Sequence, residues 1–195
     1  LVRSRGLGDV YKRQLLPGKK LELILSIIVF KKGKSMQIIL WRHGEAEAKE
    51  TDSDRSLTEK GRQQAQKTAR FIDNYFPKKR EIWISPLKRS QETASYLNFK
   101  DVILEKDFLI PSYPLSAIKT HLYQQKPDTN LIVVGHQPWL GELVSHLVLR
   151  EPEKHSPHFS ELGPFKKGAL WWLVIDHRNE YKAYIKAVLP PDLLN

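Results

Sequence analysis

From Gln37 onward, short apolar runs alternate with longer stretches in which apolar residues recur at helical spacing. Gln37-Ile38-Ile39-Leu40-Trp41 has the length of a buried strand, which is expected over 37–42. A polar loop, Glu45 to Ser56, separates it from a helix expected over about 58–76. Thr58 or Ser56 would cap that helix, Ala65, Ala69, Ile72 and Phe76 fall on one of its faces, and Pro77 closes it. A strand at 82–85 leads to Pro86 in a first helical turn and a helix reaching about Leu97. A short strand at 102–104, a helix at 115–125, a strand at 131–135 and a helix at 139–150 follow. The chain ends in a β-hairpin, 169–175 and 181–188, around Asp176-His177-Arg178-Asn179-Glu180. Strands alternating with helices predict an α/β fold: a three-layer α/β/α arrangement with a mostly parallel central sheet covered on both faces.

Three of the predicted strands end in residues that carry chemistry. The first runs into Arg42-His43-Gly44-Glu45-Ala46, the second into Ser85-Pro86-Leu87-Lys88-Arg89, and the third into Gly135-His136-Gln137-Pro138. Arginine presents a planar, permanently charged fork suited to phosphoryl oxygens, and a histidine beside it is placed to attack phosphorus. Open parallel sheets collect ligand-binding residues outside the carboxyl ends of their strands, so Arg42, His43, Arg89 and His136 are expected to converge on one pocket. Each has a plainer reading in isolation: Arg89 as a solvated helix arginine, His136 as a core histidine bonded to a carbonyl. Inside Ser-Pro-x-x-Arg and Gly-His-x-Pro the functional reading is preferred.

With the segment Leu57-Thr58-Glu59-Lys60-Gly61-Arg62-Gln63-Gln64-Ala65, these motifs resemble the histidine phosphatase superfamily, also called the phosphoglycerate mutase-like fold. Within it they are similar to the short SixA-type phosphohistidine phosphatases, and the resemblance runs from Met36 nearly to the end of the chain. It implies a phosphohistidine intermediate with His43 as nucleophile, Arg42 and Arg89 clamping the phosphoryl oxygens, and His136 as the second histidine of the pocket. His43 must then be neutral at its attacking nitrogen. A bond from its other ring N–H to a backbone carbonyl would fix that tautomer, with Gly44 giving room for the tight turn. His136 would add a proton to the phosphoryl group. Glu45 reads either as a proton donor or as a loop carboxylate, and Arg55 either reaches the phosphate or is simply exposed. His121, His146 and His177 read as structural.

The substrate class follows from what the chain lacks. Larger superfamily members carry an insertion that supplies a glutamate acid, whereas about thirty-five residues separate Ala94 from Leu131 here. A shallow, open pocket is expected, suited to a phosphorylated side chain of another protein. The implied partner is a histidine-containing phosphotransfer domain of a two-component relay or of the sugar phosphotransferase system. Phosphohistidine needs little help from an enzyme acid, because its imidazole leaving group can itself be protonated. A small-molecule phosphomonoesterase or mutase would use the same four residues but needs an acid for its alkoxide. A non-catalytic phospho-ligand module would need no nucleophile, and the intact His43 and His136 argue against it.

Composition narrows the picture further. A length of 195 residues, 41% hydrophobic and 28% charged, fits one globular domain. The formal charge of +10 invites a nucleic-acid reading, but residues 1–35 hold nine Lys or Arg against Asp9 and Glu22. That surplus of +7 leaves +3 for residues 36–195, so neither nucleic acid nor membrane is an expected partner, and the domain is expected to act as a monomer. Residues 1–35 read as a non-native or read-through extension, poorly ordered, ahead of a domain at 36–195. Met36 is the one methionine of the chain and directly precedes the first strand, while Leu1–Gln14 looks adapter-derived. A secretory signal at 19–30 fits less well, being broken by Glu22 and followed by Lys31-Lys32-Gly33-Lys34. The absence of cysteine rules out disulfides and thiolate chemistry and fits the cytoplasm. His155-Ser156-Pro157-His158 is the one close histidine pair, and with Pro157 between them and no nearby ligands it reads as a loop, so no metal or cofactor is expected.

The uneven charge makes the first segment testable. A chain shortened to begin at Met36 is expected to fold and keep its phosphatase activity, checked by circular dichroism and turnover. A large loss of either would contradict the extension reading.

Overall fold

The structure, a computed structural model, describes residues 35–98, 102–149, 165–177 and 181–194. The expectations for residues 1–34 and for the His155–His158 pair lie outside these.

Six strands form one mixed sheet: β1 (Ser35–Arg42), β2 (Glu81–Ile84), β3 (Val102–Glu105), β4 (Asn130–Gly135), β5 (Leu170–Asp176) and β6 (Lys182–Leu189). Their order across the sheet is β3-β2-β4-β1-β5-β6. The first four neighbours pair in parallel, and β5 runs antiparallel to both β1 and β6. β1 begins at Ser35 rather than residue 37 because Ser35 and Met36 pair with Asp176 and Ile175. The helices are α1 (Glu59–Tyr75), α2 (Lys88–Ala94), α3 (Leu115–Tyr123) and α4 (Trp139–Leu149).

Alternation along the strands explains why helices cover both faces. Met36, Ile38 and Leu40 of β1 and Leu131 and Val133 of β4 join α3 and α4 in one apolar cluster. Ile39 and Trp41, with Ile132 and Val134, face the other way and pack with α1 and the residues after α2. α1 presents Ala65, Thr68, Ala69 and Ile72 to that second cluster, so its buried stripe is mostly of small residues. Thr58 caps it, its Oγ1 accepting from Gly61 N at 3.0 Å. It stops at Phe76, which takes the extended conformation that Pro77 imposes on its predecessor. Arg80, only 6% exposed, closes that end by donating to Ile72 O and pairing with Asp73.

The second helix is shorter than its sequence suggests. Pro86 lies before it rather than in its first turn: Leu87 is still extended, and its N–H donates to Ser85 Oγ at 3.4 Å. At the other end Ser95 is the C-cap, and Leu97 is buried beyond the helix.

Gly168, just ahead of β5, ties the sheet to α1 and to the end of β1. Its carbonyl accepts from Trp41 Nε1 at 3.1 Å and Thr68 Oγ1 at 2.8 Å, and its N–H donates to His43 O at 3.0 Å. Its φ of 76° lies in the left-handed region, and a Cβ there would stand 2.8 Å from Gln64 Cβ and 2.9 Å from Pro191 Cγ. Gly168→Ala is therefore expected to cost about 1–3 kcal/mol through backbone strain alone, read as a lowered urea midpoint. An unchanged midpoint would show that the turn relaxes.

Candidate active site

Strand register brings the chemistry together. Arg42 of β1 stands opposite Gly135 of β4, and Ile84 of β2 opposite Val134. The residues that follow, His43, His136 and Ser85, therefore leave the sheet side by side at the carboxyl ends of three parallel strands. His43 N donates to Gly135 O at 3.1 Å, and the two imidazole centroids lie 5.0 Å apart.

His43 is 7% exposed, and its Nδ1 is 2.7 Å from Gly44 O. With a carbonyl as partner, Nδ1 carries the proton, and Nε2 keeps its lone pair. Burial drives the His43 pKa down to about 3, opposed by the Gly44 bond and reinforced by the guanidinium groups of Arg89, Arg42 and Arg55. The ring is neutral at physiological pH. Gly44 serves it differently from the turn expected: its φ is not left-handed, but a Cβ on it would lie 2.5 Å from Gly61 O. The reciprocal Cβ on Gly61 would fall 1.9 Å from Glu45 O. Two glycines thus let the His43 loop rest against the backbone that opens α1. Gly44 N completes the anchoring by donating to Thr93 Oγ1 at 3.1 Å, and the Thr93 hydroxyl donates to Arg89 O at 2.6 Å.

His136 is 1% exposed. Its Nε2 lies 2.8 Å from Ser85 Oγ and 3.3 Å from Ser90 Oγ, while its Nδ1 has no partner among the described residues. Burial lowers its pKa to about 2, helped by His43 and Arg89. As the site stands His136 is neutral, so the proton expected of it can arrive only with the opposite charge of a phosphoryl group. Behind it, the ring of Trp139 occupies the space where a Gly135 side chain would begin.

The arginines differ in setting. Arg42 Nη1 donates to Phe165 O, its Nε has no partner among the described residues, and burial lowers its pKa. Arg89 is 3% exposed, which removes the surface reading of that residue. It donates from Nη1 to Asp52 O at 2.7 Å and from Nη2 to Asp52 Oδ2 at 2.9 Å. Arg55 is half-buried, donating from Nε to Glu47 O at 2.7 Å and from Nη1 to Asp52 Oδ1 at 3.1 Å. Glu45 turns toward α1: Thr58 Oγ1 donates to its Oε1 at 3.3 Å, and Lys60 Nζ is 3.4 Å from Oε2. Lys60, foremost among several contacts, holds its pKa below the usual carboxylate value, which suits an ionised loop carboxylate better than a proton donor.

His121 stacks on Phe108 with centroids 4.0 Å apart, His146 Nε2 is 2.8 Å from Tyr123 Oη, and His177 packs edge-on against Tyr181. No group of three or more His, Asp or Glu able to hold a metal occurs among the described residues, and no described helix is long and apolar enough to cross a membrane.

Asp52, Ser90 and Thr93 were given no role in the sequence reading, and Ser85 was quoted only as part of a motif. Ser90 and Thr93 sit one and four residues after Arg89, on the helix face that Arg89 buries, so helical periodicity carried a signal for them. Asp52 had none.

The histidine phosphatase superfamily (branch 1) family model matches residues 38–108. A protein of Picosynechococcus sp. described as uncharacterized is 30% identical over 128 residues, 62% of this chain and 78% of that protein. The chain belongs to the histidine phosphatase superfamily. Among solved structures, the protein histidine phosphatase SixA complexed with tungstate is 21% identical with a TM-score of 0.68, covering 82% of this chain and 100% of its own. A phosphoserine phosphatase mutant from Entamoeba histolytica, in complex with phosphoserine, is 16% identical with a TM-score of 0.61, over 78% and 96% of the two chains. The mycobacterial glucosyl-3-phosphoglycerate phosphatase is 15% identical with a TM-score of 0.60, over 79% and 98%. These identities establish a shared fold, of the phosphoglycerate mutase-like kind. A phosphatase of this superfamily is the level of function on which family and fold agree.

Two buried neutral histidines make stability depend on acid. Folded pKa values of about 3 and about 2, against 6.5 for a free imidazole, mean that the unfolded chain binds more protons below neutrality. Their contribution is complete above about pH 6.5 and declines as the pH falls toward the folded values. The urea midpoint is expected to drop between pH 7 and pH 5, and the drop to shrink in His136→Asn. An identical drop in that variant would place the acid sensitivity elsewhere.

Proposed function

We propose that the protein removes phosphoryl groups from phosphohistidine on a partner protein through a covalent intermediate on His43. The observation carrying this reading is the unprotonated Nε2 of a neutral His43, without a hydrogen-bond partner among the described residues, whose Nδ1 is held by Gly44 O and whose charge state feels Arg89, Arg42 and Arg55. A nucleophile must offer a lone pair, and the transferring phosphoryl group needs fixed positive charge around its oxygens. Nε2 attacks phosphorus as the bond from phosphorus to the substrate imidazole nitrogen breaks; the electron pair stays on that nitrogen, and the substrate ring, already protonated on its other nitrogen, leaves as neutral imidazole. Water then attacks the phosphorus on His43, yielding inorganic phosphate and returning the electron pair to Nε2.

Choice of substrate class rests on the leaving group. An alkoxide demands a strong acid, and Glu45, the nearest candidate in sequence, is ionised and paired with Lys60. An imidazole leaving group makes no such demand. The partner that fits is a histidine-containing phosphotransfer protein, reached in the cytoplasm by a chain without cysteine. Likeness in fold to a phosphoserine phosphatase and a glucosyl-3-phosphoglycerate phosphatase supports a second reading, a small-molecule phosphomonoesterase built on the same four residues.

Incubation with a phosphohistidine protein and, in parallel, with phosphosugars, followed by an alkaline quench, separates the two. His43→Ala is expected to abolish turnover and the acid-labile phosphoenzyme, and Arg89→Ala to slow turnover by about two to three orders of magnitude. Glu45→Gln is expected to change turnover little with either phosphohistidine or an alkyl phosphate, because an ionised Glu45 supplies no proton to an alkoxide. Label persisting in His43→Ala would overturn the nucleophile assignment, and a Glu45→Gln loss confined to the alkyl phosphate would remove the basis for preferring phosphohistidine.

A further inference from the structure

Among the described residues, Asp52 is the one acidic residue whose contacts reach two of the site's guanidinium groups. It lies in a short 3-10 turn, Asp52–Asp54, on the loop between β1 and α1. Both terminal nitrogens of buried Arg89 end on this residue, Nη1 on its main-chain oxygen at 2.7 Å and Nη2 on Oδ2 at 2.9 Å. Its second carboxylate oxygen, Oδ1, accepts from Arg55 Nη1 at 3.1 Å, and Arg55 is held from behind by Glu47 O. A guanidinium carries five N–H donors, so Asp52 uses two of those on Arg89 and leaves Nε–H and one N–H on each terminal nitrogen. Such a fork is fixed in angle yet retains donors for an oxyanion.

A carboxylate beside an oxyanion site is costly. It repels the ligand that the arginines attract, and at 58% side-chain exposure it has no need of these partners to be hydrated. Although burial works against its ionised form, hydrogen bonds from Arg89 and Arg55 hold its pKa below the ordinary aspartate value, so the repulsion is present at neutral pH. Orientation is the compensating gain, because a transition-state donor displaced by about 1 Å can forfeit on the order of a hundredfold in rate.

We propose that Asp52 is a positioning residue of the phosphoryl site, holding Arg89 through two hydrogen bonds and Arg55 through a third so that their remaining N–H groups meet a phosphoryl group carried by His43. The role rests on the phosphatase reading of the site but not on the choice of phosphohistidine over a phosphomonoester. Since it acts mainly through Arg89, its loss must matter less once Arg89 is gone.

Asp52→Ala is expected to lower kcat by about tenfold to a hundredfold while KM stays level or falls, because the variant loses aim and also loses a like charge. Asp52→Asn, whose side-chain oxygen still accepts from Arg89, is expected to recover most of kcat. In an Arg89→Ala background, Asp52→Ala is expected to cost much less than in the parent, the remainder being the part carried by Arg55. The same pattern is expected with a phosphohistidine protein and with an aryl phosphate, so failure of the substrate assignment leaves the result readable. Should neither turn over, tungstate affinity measured by calorimetry across the same four-protein cycle replaces the rate, and the Asp52 effect is expected to shrink sharply once Arg89 is gone. Unchanged kcat in Asp52→Ala, no recovery in Asp52→Asn, or losses that multiply in the double variant would each overturn the proposal, as would additive effects on tungstate.

Discussion

Parallel pairing of β1 with β4, in the register that sets Arg42 opposite Gly135, is the constraint on which the rest of the site depends. It places His43 and His136 at the same height on neighbouring strand ends, and the pairing of β2 with β4 brings Ser85 level with Gly135, one residue short of His136. A slip of one residue would turn every strand side chain to the opposite face, burying polar Gln37 where Ile38 now packs. The same slip would carry His43 away from Gly135 O. Core packing and the meeting of the two histidines are therefore enforced by one register, and the apolar alternation that stabilises the sheet also aligns the chemistry.

Electrostatics then decides what the aligned residues can do. Three guanidinium groups act on His43, and in a partly desolvated site each disfavours a second positive charge there. Burial, seconded by these cations, keeps the imidazole neutral, so the proposed nucleophile needs no general base to deprotonate it. The same cations that would hold a phosphoryl group prepare the atom that attacks it. His136 is subject to the same field and is also neutral, so the site gathers its positive charge on arginines alone and leaves both histidines able to exchange protons as the ligand's charge comes and goes.

Much of this was legible in the sequence, for identifiable reasons. The buried runs Ile38–Trp41, Ile82–Ile84 and Leu131–Val134 are short and apolar, and each delivers a charged or histidine-bearing turn at its end, so the strands and the four candidate residues at their ends could be inferred together, though not the order of the strands in the sheet. Less legible were contacts made by residues with no periodic or motif signature. Asp52 lies in a polar loop with several other carboxylates, any of which could have met Arg89, and only the path of the loop selects it. The hydroxyls of Ser85 and Ser90 on His136 depend on how α2 is set against the end of β4. Gly168 gave no signal beyond a Lys-Lys-Gly turn ahead of a strand, although three hydrogen bonds and a left-handed backbone fix its identity.

Leu57-Thr58-Glu59-Lys60-Gly61 shows how one segment can be read correctly for local structure while its second task stays hidden. As local sequence it is a helix start, with Thr58 capping Gly61 N and Leu57 buried as the chain turns in. Tertiary structure asks more of it: Gly61 must lack a side chain so that Glu45 O can approach its backbone, and Thr58 N donates to that same oxygen at 2.9 Å. Glu92 reaches back from α2 to accept from Leu57 N at 2.6 Å, and Thr93, one residue on, holds Gly44 N. The start of α1 and one face of α2 therefore grip the His43 loop from two sides. Neither grip involves a residue proposed to touch phosphate, yet together they determine where Nε2 points. A substitution at Gly61 would act on the reaction by moving the loop rather than by unwinding the helix, since glycine is itself among the poorest residues for a helical position.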